Sequence, residues 1–288
     1  MMEFDFDADI DEDMFPCIKV IGVGATGAKA LSYLKDADTD DVFDTLTISD
    51  KNFVVESDPK SDWLFVIADI DDLELAAQVA KSVENYGKNY DGFTLPLITF
   101  LILCPSAEDT RLADIPAGFG TWIILPKDKI AATGLTNEAL ICRVVNMATS
   151  IAPGMKKRST LKGGKKFGYL FGGPDICDVA TATGNGGKAC IGFGESLDAE
   201  NNSLQAVKNA LKSPLFIEDI RHAKKILLVF VERYEFIDAP EICEAANFLR
   251  ELSNADPEEV FAILLQADVY ETADDGVAAF VLATKFDE

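Results

Sequence analysis

The stretch "CIKVIGVGATGAKAL", residues 17–31, decides the fold: an apolar run, a glycine-rich turn, then a helix-forming segment. A near-continuous apolar run of this kind is a strand buried on both faces, as in a parallel sheet covered by helices. Gly22, Gly24 and Gly27 complete a G-x-G-x-x-G pattern. A turn with so few Cβ atoms lets the backbone N–H groups of Gly22, Gly24, Ala25, Thr26 and Gly27 close on a phosphate, and the helix N-terminus adds its positive end. Asp50 ends the next strand about twenty residues on, where a dinucleotide fold places its ribose-binding acid. Taken alone, these residues suit a NAD-type oxidoreductase as well as other phosphate binders.

Further along, strands and helices alternate. "FDTLTIS" and "DWLFVIAD" read as strands, "LELAAQVAKSVENYG" as a helix ended by Gly87, and "LPLITFLILCP" and "GTWIILP" as two more strands. "TNEALICRVVNMATSIAPG" predicts a longer helix with Thr136 as N-cap and Pro153 beyond its end. The second half adds the helices "AENNSLQAVKNALKSPL" and "APEICEAANFLRELS" and the strands "KKILLVFVER", "EEVFAILLQAD" and "VAAFVLATKF". It has no glycine-rich phosphate turn of its own.

Composition narrows the function. The formal charge of −23, from 49 acids against 26 bases, disfavours nucleic acid and anionic lipid, which bind through Lys and Arg. The six cysteines form no C-x-x-C pair and mostly sit among apolar neighbours, as expected of reduced thiols. No metal-ligand spacing stands out, and the one histidine, His222, reads as exposed rather than catalytic. The opening "MEFDFDADIDEDMFP", with seven acids and no base, reads as a solvated tail over residues 1–15 and not as a secretory signal. No apolar run is long enough to span a bilayer. The expectation is a soluble cytoplasmic protein that does not insert in a membrane.

The second half also carries the clearest likeness. "LKSPLFIEDIRHAKKILLVFV" and the run from "EICEAANFLRELS" to "VAAFVLATKF" resemble the C-terminal domain of FtsZ, the bacterial tubulin relative. "IKVIGVGATGAKAL" is similar to that family's first phosphate loop. "DWLFVIA" resembles the strand before its tubulin signature, and "TWIILPKDKI" the strand leading to its I-P-N-D-R-L segment. "GGPDICDV" is similar to the N-x-D-x-x-D-V loop that one subunit offers to the next, with Asp175 and Asp178 on the two acids and Gly173 in place of the asparagine. Acids three apart at a helix start share a face and can orient a water.

The resemblance implies an α/β fold: a shortened Rossmann-like GTPase-type domain over 16–135, then the central helix, basic loop and synergy-like loop over 136–178. A smaller α/β C-terminal domain follows over 179–288. It implies a bacterial filament protein of cell division or membrane remodelling. Its partners would be itself, an FtsZ-type subunit, or other division proteins, and GTP or GDP with Mg²⁺ its ligands.

Four departures from the family pattern matter, three for the nucleotide and one for membrane tethering. Where the family has a glycine-rich signature after "DWLFVIA", this chain reads "DIDDLELAA", with Asp69, Asp71, Asp72 and Glu74. A carboxylate about 4 Å from a phosphate charge costs roughly 1 kcal/mol in water and about 4 at an effective dielectric of 20. Magnesium prefers substrate phosphates and one or two acids, so the cluster is a poor metal cage. The region before "DWLFVIA" is short enough to lack another phosphate loop. "EALICRVV" places Val144 where the family has a guanine-holding acid. The end at "ATKFDE" leaves out the family's membrane-adaptor tail, and internal "DIPA" at 114–117 is a chance likeness to it. The expectation is therefore subunit contact with weak or absent GTP binding and hydrolysis, an active GTP-dependent polymer being the alternative. The basic stretch 156–166 reads as a solvated loop or a contact to an acidic face.

Overall fold

The computed structural model describes residues 17–37, 43–50, 53, 61–83, 87–90, 93–106, 115, 118–150, 176–184, 186–197, 202–232, 239–253, 255, 260–266 and 276–286. In chain order the first elements are β1 (Cys17–Val23), α1 (Gly24–Ala37), β2 (Phe43–Ile48), β3 (Ser61–Ala68), α2 (Leu73–Ser82), β4 (Gly87–Tyr90), β5 (Phe93–Pro96), β6 (Ile98–Leu103), β7 (Thr121–Ile124), α3 (Lys127–Ala132) and α4 (Asn137–Ser150). Then come α5 (Ile176–Thr183), β8 (Gly187–Ser196), α6 (Asn202–Leu211), β9 (Ala223–Glu232), α7 (Ala239–Leu252), β10 (Val260–Gln266) and β11 (Val277–Phe286).

Among the described residues nine strands join in one sheet, in the order β10-β9-β11-β8-β7-β6-β3-β1-β2. From β2 to β8 every neighbouring pair is parallel. β11 runs antiparallel between β8 and β9, and β10 lies parallel to β9. The α/β expectation holds: a parallel, Rossmann-like first half and a mixed second half.

The apolar strands explain why the sheet is covered on both faces. Along β3, Trp63, Phe65 and Ile67 enter one core, where the Phe65 and Phe100 rings stack at 4.7 Å. Leu31 and Leu34 of α1 and Leu140 and Val144 of α4 close that core. The alternate residues Leu64, Val66 and Ala68 enter a second core with Leu75 and Val79 of α2. Fully burying each large side chain is worth about 1.5–3 kcal/mol. The first core runs on through Ile191, Leu227 and Phe280, so it crosses from the parallel half into the mixed half. A third core packs Val207 and Ala210 of α6 and Leu249 of α7 against Leu228, Phe230 and Val281.

Two elements differ from the sequence expectation. The helix expected to run to Gly87 ends at Ser82, and Val83, its C-cap, is the last buried residue of the run. Gly87 instead opens β4, which pairs antiparallel with β5 in a separate two-stranded ribbon. The strand expected from Leu95 accordingly splits, and only Ile98–Leu103 joins the main sheet. Thr136 caps α4 as expected, its hydroxyl accepting from the Ala139 amide at 3.2 Å.

Candidate functional site

In a parallel sheet the strand C-termini present their turns along one edge, and ligands bind there. Three such turns meet here: β1 into α1, β3 into α2 and β7 into α3. The first is built on close backbone approach. A Cβ added to Gly22 would lie 2.5 Å from Gly27 O, and one added to Gly27 would lie 2.5 Å from Ile67 O. Gly24 takes φ +67°, a region that side chains disfavour. The glycine turn is therefore needed by the fold itself, whatever its ligand.

Carboxylates from the second turn cover the first. A Cβ on Gly24 would come within 2.0 Å of Asp72 Oδ2, so that carboxylate lies against the open side of the glycine. Asp69 caps a short 3-10 turn over Ile70–Asp72, its Oδ1 accepting from the Ile70 amide at 2.8 Å. Its Oδ2 accepts from the Thr26 hydroxyl at 3.1 Å and from Lys127 Nζ at 2.7 Å. The third turn is held beside the end of β6 by bonds from the Leu125 and Lys127 amides to Leu103 O and Pro105 O.

The two acids are tuned in opposite directions. Burial opposes ionisation of Asp69, but the Lys127 hydrogen bond, the Ile70 amide, the Lys127 charge and the Thr26 hydroxyl outweigh it and lower its pKa. The Asp72 pKa is raised, by burial first and then by the charges of Asp69 and Asp71. Among the described residues, no group of three or more His, Cys, Asp or Glu side chains is placed to hold a metal ion.

The expected site residues divide accordingly. Asp72 lies against Gly24 and Asp69 accepts from Thr26; Gly22 and Gly27 pack on each other and on Ile67 O, and Ala25 is exposed. Asp50 is exposed just beyond β2. Asp175, Gly173, the acidic tail and the basic stretch 156–166 lie outside the described residues, and Asp178 is placed only as backbone in α5. The C-terminal end of that helix is fastened to the sheet. Thr181 O accepts from Lys225 Nζ at 2.6 Å, Ala182 O from the Thr284 hydroxyl at 2.7 Å, and Thr183 O from the Thr121 hydroxyl. The assignment of Val144 to a base-facing position is corrected: it is fully buried between α4 and the sheet and cannot face a ligand. His222 is exposed, as expected.

Sequence reading missed Lys127. Its signal was a lysine shortly after an apolar strand, at the asparagine position of the I-P-N-D-like segment, in a chain where "DWLFVIA" is followed by acids.

The fold is FtsZ/tubulin-like, matched over 94% of the chain. The chain is 27% identical over 187 residues to cell division protein FtsZ 2 of Thermococcus kodakarensis, covering 61% of this chain and 43% of that protein. The match thus spans less than half the length of that relative. An FtsZ mutant structure from M. jannaschii superposes with a TM-score of 0.68 at 18% identity, covering 94% of this chain and 92% of that one. CetZ2 from Haloferax volcanii, in a GTPγS-bound protofilament, gives 0.65 at 15% identity, covering 94% of each chain. No family model matches.

The residues at this turn do not fit a nucleotide phosphate. Fixed carboxylates lie on Thr26 and Gly24, where an anion approaching the turn would meet them, and Lys127 is already engaged. A carboxylate about 4 Å from a phosphate charge would oppose it by roughly 1–4 kcal/mol, an effect that Lys127 offsets at Asp69 and that falls chiefly to Asp72.

Proposed function

We propose that this chain works as a divergent FtsZ-like filament protein, acting through subunit–subunit contacts in cell division, a related cytoskeleton or membrane remodelling. GTP binding and hydrolysis are weak or absent. The observation that carries the nucleotide half of this reading is the pair of Asp69 and Asp72 carboxylates over the glycine turn. The contact half is supported by the likeness to FtsZ 2 and to a CetZ2 protofilament. Asp175 and Asp178 are the residues offered to a neighbour, itself or an FtsZ-type subunit, with 16–135, 136–178 and 179–288 as the working units. Among the described residues no helix is long and apolar enough to cross a membrane, and a cytoplasmic setting is part of the proposal. Its relatives include archaeal proteins, so the host need not be bacterial.

The test is a titration with fluorescent GTP and GDP in the presence of Mg²⁺, with sedimentation of the same samples. The expected result is no binding up to millimolar nucleotide, and association that is independent of nucleotide but weakened in D175A/D178A. Micromolar binding overturns the nucleotide half. It would favour the second reading, an active GTP-dependent polymer, for which the likeness to a GTPγS-bound CetZ2 protofilament speaks. That reading requires turnover that climbs steeply with protein concentration.

A further inference from the structure

Asp69 has more partners than its local role needs. Capping the short turn takes only the Ile70 amide, yet Thr26 and Lys127, 43 and 58 residues away in sequence, also donate to its carboxylate. The donors come from all three turns at the sheet edge: a hydroxyl from β1–α1, an amide from β3–α2 and an ammonium from β7–α3. A cation, a hydroxyl and a backbone N–H converging on two oxygens is the donor set that holds a phosphoryl oxyanion.

We infer that Asp69 is an internal anion standing in for a phosphate group, and that Lys127, Thr26 Oγ1 and the Ile70 amide form an oxyanion site for inorganic phosphate or a nucleoside diphosphate once the carboxylates are removed. This rests on the reading that the native chain binds nucleotide weakly. The chain thereby cross-links its three edge turns without a ligand, and its assembly is released from nucleotide control. Lys127 is the residue that ties the turn after β7 to this internal anion.

The experiment is isothermal titration of the full chain with inorganic phosphate and, separately, with GDP and Mg²⁺. Wild type is compared with D69A/D72A, D69A/D72A/K127A and, as a charge control, D71A. The expected result is at least tenfold tighter phosphate or GDP binding in D69A/D72A than in wild type or D71A. Adding K127A abolishes that gain. A D69A/D72A protein that melts cooperatively but binds no tighter than wild type overturns the assignment, as does a gain that survives K127A. If D69A/D72A does not fold, D69N/D72N keeps the side-chain shape without the charge and is judged by the same comparison. Failure of the two readings is distinguishable: micromolar binding by wild type overturns weak binding itself, whereas no gain in the variants overturns only the internal anion.

Discussion

Lys127 Nζ lies 2.7 Å from Asp69 Oδ2, joining the turn after β7 to the turn after β3 across the end of β6. The lysine side chain is 42% exposed and the aspartate 17%, so the pair is neither a bare surface bridge nor a dry one. Its worth lies between the 0–1 kcal/mol typical of exposed pairs and the roughly 1.5–3 of hydrogen bonds to buried charge.

Removing that lysine has a pH signature. The folded-state pKa of Asp69 is lowered, so the folded chain holds its proton less tightly than the unfolded chain. The resulting stability is fully present above the unfolded carboxylate value of about 3.9 and is lost as pH falls through the lower folded one. K127A is expected to lose about 1 kcal/mol at pH 7 by urea unfolding, discounted for exposure of the lysine. The gap to wild type should narrow below about pH 4. A gap that stays constant down to pH 3 would assign the loss to packing of the lysine stem.

Asp72 has the opposite sign. Burial and two neighbouring acids raise its folded pKa, so ionising it costs stability. That cost is absent below the unfolded value and fully present above the folded one. D72N should therefore stabilise the chain at pH 7, by a few tenths to about 1 kcal/mol after solvent screening, and change little at pH 3. Thermal melts at the two pH values check this, and destabilisation at pH 7 would mean that the carboxylate makes a net favourable contact with the turn.

What could be read beforehand follows from which interactions are local. β1, the glycine turn and α1 were legible because a buried strand, close-approach glycines and helical spacing all lie within residues 17–37. So were α7, β10 and β11, whose periodicity sits in unbroken runs. The β4–β5 ribbon was missed although Asp91–Gly92, a favoured hairpin dipeptide, stands between its strands. The weak apolar content of "GKNY" hid it. In the candidate site the acids were legible as charge, but their positions were not. Asp69 takes its meaning from Lys127, and only the parallel order β7-β6-β3-β1 puts those turns on one edge. Val144 went wrong for a related reason: a one-residue change of helix register turns a side chain by about 100°, enough to carry it from pocket to core.

The cysteines give a check on burial. Desolvation pushes the Cys104 thiol to about 12 and the Cys190 thiol to about 11, whereas Cys243 on α7 is exposed. Thiolate is the reactive form, so alkylation at pH 8 should label Cys243 within minutes and leave Cys104 and Cys190 unmodified until denaturant is added. Mass spectrometry of the peptides reads this directly, and early labelling of Cys104 would mean that the sheet edge beside Asp69 opens in solution.

The glycines separate two physical effects that sequence alone merges. Gly134 has φ +75° with nothing within 4 Å of an added Cβ, so G134A meets backbone strain and no clash. Its expected loss is about 1 kcal/mol. Gly27 has no positive φ, but its Cβ would lie 2.5 Å from Ile67 O and 2.6 Å from Gly22 C, all backbone atoms that no rotamer change can move. G27A must push α1 from the sheet, at about 2–3 kcal/mol or more. Gly194 is the same case in the second half, its Cβ facing Ala210 N at 2.1 Å, so α6 packs directly on β8. Chemical denaturation of the three variants should order them G134A well above G27A and G194A in stability. Equal losses would show that α1 and α6 can be displaced cheaply, and the glycine turn would then be kept for a ligand rather than for the packing of α1 on β1 and β3.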